Sequence, residues 1–297
     1  MKNFLKYGYE VNKSFFNKKD CKTILKKILN SRNFKNIWLS ENEFKKRNKI
    51  IKTVNPRPGR NLIEKLDTKF IFSNDKFINL IDKILGTKWK VLDYKFVVAL
   101  EEDMVPRWVK HATKNTFIPN MGRFIKEKYR DLTYFRGIDF HQDIIDFPHK
   151  KSDFITCYIY LDNVDKYTSP LILLPNSHTF GAKTFPHKLK KINDNSYLYY
   201  NNTKQKKKLH CKPLIGKTGT MYFWHPCILH GTQPTSENKF RISIRILIEK
   251  NQLNRNFIID KINKNINGNL SIDISRIDID KKGKYVKKGN FINKQKI

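Results

Sequence analysis

The stretch GIDFHQDIIDFPHK, residues 137–150, places His141, Asp143, Asp146 and His149 within nine positions. Imidazole nitrogens and carboxylate oxygens bind metals and carry protons. A strand turns alternate side chains to opposite faces, so His141 and Asp143 should share one face while Gln142 points away. Two such groups can grip one edge of a metal ion, and a third ligand must come from elsewhere. A strand with an ordinary polar edge spells the same letters, so the rest of the chain has to decide.

Of the other histidines, His225 and His230 lie in GTMYFWHPCILHGTQPTSENKFRISIR, residues 219–245. His225 ends a strand before Pro226 and suits a core or surface position. His230 follows a turn and precedes Gly231 and Thr232, which favours it as the third ligand. Beyond it, Phe240, Ile242, Ile244, Ile246 and Ile248 alternate with Arg241, Ser243 and Arg245. The isoleucine face requires a core, so the arginines share the opposite face. An arginine turned into a protein interior needs a buried anion, whereas on a solvated face it needs nothing. Two histidines and one carboxylate with open positions form the facial triad of non-haem Fe(II) oxygenases. An arginine able to hold a carboxylate by two bonds points to an acidic co-substrate.

These residues need a scaffold. Residues 9–31 read as a short strand and a helix capped by Asp20, with Cys21, Ile24, Leu25 and Ile28 at helical spacing. A second helix fits NDKFINLIDKILG, stopped by Gly86, and KWKVLDYKFVVAL follows as a strand. Strands are expected at 132–142, 153–161, 170–175, 209–215, 219–226 and 240–249, a series that suits a sandwich or barrel. Residues 104–131 are broken by Pro106, Pro119 and Gly122, and 182–208, ending in KQKKK, read as a long mobile loop of the lid kind. These two segments are where specificity is expected. One catalytic domain over 1–250, with its β core at about 132–250, is followed by a basic C-terminal extension, 251–297. Within it SIDISRIDID is expected to fold back as a strand.

A chain of 297 residues can bury a full core. It has no apolar run of membrane-spanning length and no secretory leader, so a cytoplasmic protein is expected. Its four cysteines form no metal-binding spacing and read as reduced thiols. The net charge of +33 comes from 48 lysines and only 12 arginines, spread over the whole chain. That distribution reads as compositional bias more than as a nucleic-acid surface, where arginine concentrates on one face. The charge would still favour an anionic substrate or an acidic partner. GKTGT at 216–220 lacks the first glycine of a P-loop, and no G-x-S-x-G elbow supports a serine hydrolase.

Taken together, four segments resemble the phytanoyl-CoA dioxygenase family of Fe(II)/2-oxoglutarate-dependent oxygenases. They are YGYEVNKSFFNKKDCKTILKKI, the HQD triplet, SPLILLPNSH, and the 219–246 segment with its distal histidine and arginine. The resemblance covers roughly residues 7–250. It implies a double-stranded β-helix, a jelly-roll of the cupin kind with flanking helices. It makes His141, Asp143 and His230 the iron ligands. It assigns the far carboxylate of 2-oxoglutarate to Arg241, eleven residues past the distal histidine, with Thr232 assisting. Arg245, about 13 Å further along the strand, is left without a role. The implied reaction uses Fe(II), 2-oxoglutarate and O2 to hydroxylate a small molecule, releasing succinate and CO2. Halogenation is not expected, because Asp143 stands where halogenases of the family carry a small residue. The rival readings are an oxygenase acting on a nucleic acid or a carrier-tethered substrate, and a non-catalytic jelly-roll binding module. Ser169 and Asn176 depart from the family, which has glycine at both turn positions. His178 belongs to the same turn and reads as structural, while His149 and His187 read as solvated loop residues.

Overall fold

The computed structural model describes residues 1–48, 61–114, 116–118, 120–200, 206–233, 241–254 and 256–280. Pro119, Phe240, part of the lysine run at 204–208 and the extension beyond 280 lie outside them. Among the described residues thirteen strands form three sheets. The strands are β1 (Tyr9–Asn12), β2 (Trp89–Ala99), β3 (Thr133–Phe135), β4 (Ile138–His141), β5 (Phe154–Tyr160), β6 (Leu171–Leu174) and β7 (Lys188–Asn193). They continue as β8 (Ser196–Tyr200), β9 (Lys206–His210), β10 (Lys212–Pro213), β11 (Met221–Trp224), β12 (Leu229–Thr232) and β13 (Arg241–Lys250). The major sheet runs β1-β11-β5-β13-β2-β3, the minor sheet β10-β6-β12-β4, and β7-β8-β9 form a third. The first two make the expected jelly-roll, mainly β with flanking helices.

The major sheet is apolar on both faces for different purposes. Ile242, Ile244, Ile246 and Ile248 of β13 join Ile155, Cys157 and Ile159 of β5 in a core shared with the helices. Helix Lys18–Asn30 contributes Cys21, Ile24, Leu25 and Ile28, and helix Asp75–Leu85 contributes Phe77, Ile81, Ile84 and Leu85. Each buried isoleucine contributes roughly 1.5–3 kcal/mol. Asn17 caps the first helix by accepting from the Lys19 amide, the role expected of Asp20, which lies inside the first turn. Gly86, at φ 86°, ends the second.

The opposite face of the major sheet looks into the barrel. Tyr158, Tyr160 and Trp224 pack there against Leu171, Leu173 and Ile228 from the minor-sheet side. Arg241, Ser243 and Arg245 point the same way and are buried, so their face is interior and not solvent.

Three expectations are corrected. The strand expected at 132–142 is two strands in different sheets, separated at Gly137 with φ 69°. Residues 182–208 are not one loop, because β7, β8 and the start of β9 fall within them. Leu189, Tyr197, Tyr199 and Leu209 bury one face of that small sheet against Phe140, Phe180 and Leu229. SIDISRIDID makes isolated bridges, at Arg276 with Phe185 and at Ile279, instead of a strand. Past residue 250, helix Ile258–Lys264 puts Ile259 and Ile262 into the main core.

Candidate metal centre and co-substrate site

His141 ends β4 and His230 lies on β12, and the two are directly paired across the sheet with ring centroids 4.2 Å apart. Asp143 does not share their sheet. The chain leaves β4 at Gln142 and enters a 3-10 turn, Asp143–Asp146, which still presents the carboxylate to the same cavity. Gln142 fixes this exit from the far side. Its amide donates to the Gly181 and Cys227 carbonyls at 2.9 and 2.7 Å and accepts from the Lys183 amide at 2.9 Å. The alternation expected of a strand is thus achieved by a buried glutamine anchor.

One ligand atom from each of His141, Asp143 and His230 lies within 4.8 Å of the others. His141 Nδ1 is 2.9 Å from the Asp139 carbonyl, and His230 Nδ1 is 3.2 Å from the Ile228 carbonyl. A carbonyl only accepts, so each Nδ1 carries the proton and each Nε2 keeps its lone pair for the cavity. Burial lowers the pKa of both rings, so both are neutral. Burial alone would raise the Asp143 carboxyl, but the charged Arg245 guanidinium bonded to it holds it well below the usual carboxylate range. Two neutral imidazoles preset in tautomer and a buried carboxylate fit a divalent first-row metal ion.

Three donors support Asp143. Thr156 Oγ1 and Trp224 Nε1 donate to Oδ2 at 2.7 and 2.9 Å, and Arg245 Nη2 donates to Oδ1 at 2.5 Å. Arg245 Nη1 also donates to Asp93 Oδ2 at 2.5 Å. None of these four residues was singled out as a partner of the triad. Trp224 adjoins His225 within the 219–245 segment, and the inward alternation of β5 and β13 was the signal for Thr156 and Arg245. Nothing in the sequence brings Asp93 to Arg245.

Arg241 and Thr232 meet at Ser169. Arg241 Nε donates to the Ser169 carbonyl at 3.0 Å and Nη1 to Ser243 Oγ at 2.9 Å, and its guanidinium lies 5.9 Å from the Tyr160 ring centre. Thr232 Oγ1 is 2.8 Å from Ser169 Oγ. Among the described residues no carboxylate faces Arg241. The two departures from glycine keep the glycine conformation, with φ 53° at Ser169 and 68° at Asn176. Residues in this region cost about 1 kcal/mol or more each, less for asparagine.

The remaining histidines separate clearly. His225 is buried away from the triad, its Nε2 2.9 Å from Asn263 Oδ1 and its Nδ1 accepting from the Cys227 amide. His178 is buried above Gly8, and His149 is exposed beside Asp273. His187 is buried near the Tyr199 hydroxyl, which corrects the expectation of a solvated loop position. A cavity of about 230 Å³ opens over the triad. Asp93, Lys95 and Arg245 line one side, and Arg276 reaches it from the C-terminal segment. The expected specificity segment 104–131 reaches the cavity through Ile118 and Asn120.

The sequence profile of the phytanoyl-CoA dioxygenase (PhyH) family matches residues 4–243. The human protein "Phytanoyl-CoA dioxygenase, peroxisomal" is 28% identical over 109 residues, which is 35% of this chain and 31% of the human protein's length. Among solved structures, the non-heme alpha-ketoglutarate-dependent epimerase SnoN aligns over 84% of this chain and 80% of its own, at TM-score 0.51 and 10% identity. The apo non-heme monooxygenase ThoJ aligns over 84% and 76%, at TM-score 0.51 and 9% identity. These two likenesses bear on the fold. Among the described residues no helix is long and apolar enough to cross a membrane.

Proposed function

The chain belongs to the phytanoyl-CoA dioxygenase family of Fe(II)- and 2-oxoglutarate-dependent oxygenases, and from that premise we propose that it hydroxylates an unactivated C–H bond of a small molecule. The observation that carries the reading is the His141–Asp143–His230 set, with Asp143 and His230 buried, His141 half-buried and both Nε2 lone pairs turned inward. When bound, Fe(II) would couple O2-dependent decarboxylation of 2-oxoglutarate to succinate and CO2 with insertion of one oxygen atom into the substrate.

The chain's own residues do the positioning. His141, His230 and Asp143 hold the metal, their protonation states fixed by the Asp139 and Ile228 carbonyls and by Arg245. Arg241 receives the far carboxylate of 2-oxoglutarate, with the Thr232 hydroxyl beside it, in a pocket walled by Tyr160. Burial there strengthens the pairing, because competing water is excluded. Asp143 occupies a position that a halide would need, which supports hydroxylation over halogenation.

Each cation on the substrate side of the cavity already has a carboxylate. Lys95 lies 2.8 Å from Asp93, and Arg276 lies 2.6 Å from Asp278. The overall charge is therefore not focused on the cavity, and its lining of both signs suits a polar small molecule better than a polyanion. Mass spectrometry of a metabolite panel incubated with Fe(II), 2-oxoglutarate and O2 tests the reading. A product heavier by one oxygen atom, formed with succinate, is expected. A chlorinated product in chloride buffer, or oxidation of nucleic acid alone, would overturn it.

A further inference from the structure

We propose that Asp93 and Arg245 form a charge-neutral brace that holds Asp143 to a single metal-facing oxygen. The proposal rests on His141, Asp143 and His230 being the metal ligands. Arg245 on β13 and Asp93 on β2 are brought together because the two strands pair, with Leu247 opposite Asp93 and Arg245 opposite Lys95. The guanidinium then spans two carboxylates, Asp143 through Nη2 and Asp93 through Nη1, each at 2.5 Å. Arg245 and Asp143 are nearly sealed from solvent, with side chains 8% and 2% exposed.

A carboxylate has about four acceptor sites. Thr156 and Trp224 take two on Oδ2, and Arg245 takes a third on Oδ1. Oδ2 lies 3.6 Å from His230 Nε2 and is the oxygen turned toward the other ligands, while Arg245 engages Oδ1 and opposes binding through both oxygens. That restraint keeps coordination positions open for a co-substrate and O2.

A lone buried guanidinium here would repel a dication. Asp93 cancels its charge, while Lys95 and Asp146, each closer to solvent, add one charge of either sign. The brace can therefore restrain the ligand without opposing the metal. Removing one member of the pair has a different consequence from removing the other. Without Asp93, a buried cation is uncovered next to the metal. Without Arg245, a carboxylate is uncovered and Asp143 Oδ1 is released.

The test is Co(II) titration of the full chain, with the visible absorption of the Co(II) form reporting coordination and melting of the metal-free protein reporting folding. Asp93→Asn should weaken Co(II) binding about tenfold. Arg245→Met should bind Co(II) within about threefold of the parent, or tighter, with an altered spectrum and at least about tenfold weaker 2-oxoglutarate binding. The double variant should regain Co(II) affinity while keeping the altered spectrum. Asp93→Asn preserves shape at a partly exposed position, so it remains informative if Arg245→Met unfolds. Parent-like affinity in Asp93→Asn, or a parent-like spectrum in folded Arg245→Met, overturns the brace. His230→Ala separates the two levels. If it binds Co(II) like the parent, the ligand assignment itself fails. If it loses Co(II) while Asp93→Asn and Arg245→Met match the parent, only the brace fails.

Discussion

Replacing Arg241 by lysine tests the co-substrate site with charge held constant. Arg241 is 3% exposed, and the Ser169 carbonyl and Ser243 hydroxyl fix the plane of its guanidinium. A lysine reaching the same place keeps the positive charge but has no planar fork, and it leaves the Ser169 carbonyl short of a donor. A charge-assisted bond in a poorly solvated site is worth about 1.5–3 kcal/mol, and losing one of the two to 2-oxoglutarate converts to about 12- to 150-fold in affinity. The assay is 2-oxoglutarate titration into Co(II)-loaded protein, alongside the Michaelis constant for 2-oxoglutarate. Both should rise by that factor while Co(II) affinity stays near the parent's, since Arg241 touches none of the three metal-binding side chains. A change below about threefold would refute the reasoning. So would an equal loss of metal, because Arg241 would then be acting through the triad.

Other outcomes follow from the same structure. His225 and His178 are held neutral by burial, pushed down to about 4 and about 3, against roughly 6.5 in an unfolded chain. The unfolded state therefore binds more protons, and stability present above pH ~6.5 is lost as pH falls toward the folded values, by about 1–2 kcal/mol per ring at pH ~5. Urea unfolding at both pH values checks this, and an acid slope unchanged in a His225→Asn variant would show that this imidazole is not a source. Gly8, at φ 80°, leaves no room for a side chain, because a Cβ would lie 2.4 Å from His178 Nδ1. Gly8→Ala should cost about 2–4 kcal/mol, read as a lower melting temperature with metal stoichiometry unchanged. Thr156→Val removes one donor from Asp143 and should weaken Co(II) binding about tenfold, and parent-like binding would show that this hydroxyl is dispensable.

The convergence of His141, Asp143 and His230 was legible because their chemistry is unusual and the first two lie close in sequence. His141 and Asp143 are two positions apart, and His230 precedes a strand whose isoleucines announce its register. What could not be read arises where distant segments meet. Asp93 lies 152 positions from Arg245, and only the pairing of β2 with β13 makes them neighbours. The strands β7 and β9 were hidden because lysines dominate them, and the buried face of the small sheet rests mainly on Leu189, Tyr197, Tyr199 and Leu209. Gly137 gave no sign that it would send one predicted strand into two sheets. Asp143 was expected on a strand and lies on a turn, yet it faces as expected because Gln142 is pinned behind it.

The most direct measurement is release of CO2 from carboxyl-labelled 2-oxoglutarate, with Fe(II) and O2 present or withheld, in the parent chain and in His230→Ala and His225→Ala. The expected result is Fe(II)- and O2-dependent release by the parent and by folded His225→Ala, and none by His230→Ala. Release by His230→Ala at the parent rate would contradict the assignment of the metal centre, as would its loss in His225→Ala with metal binding abolished.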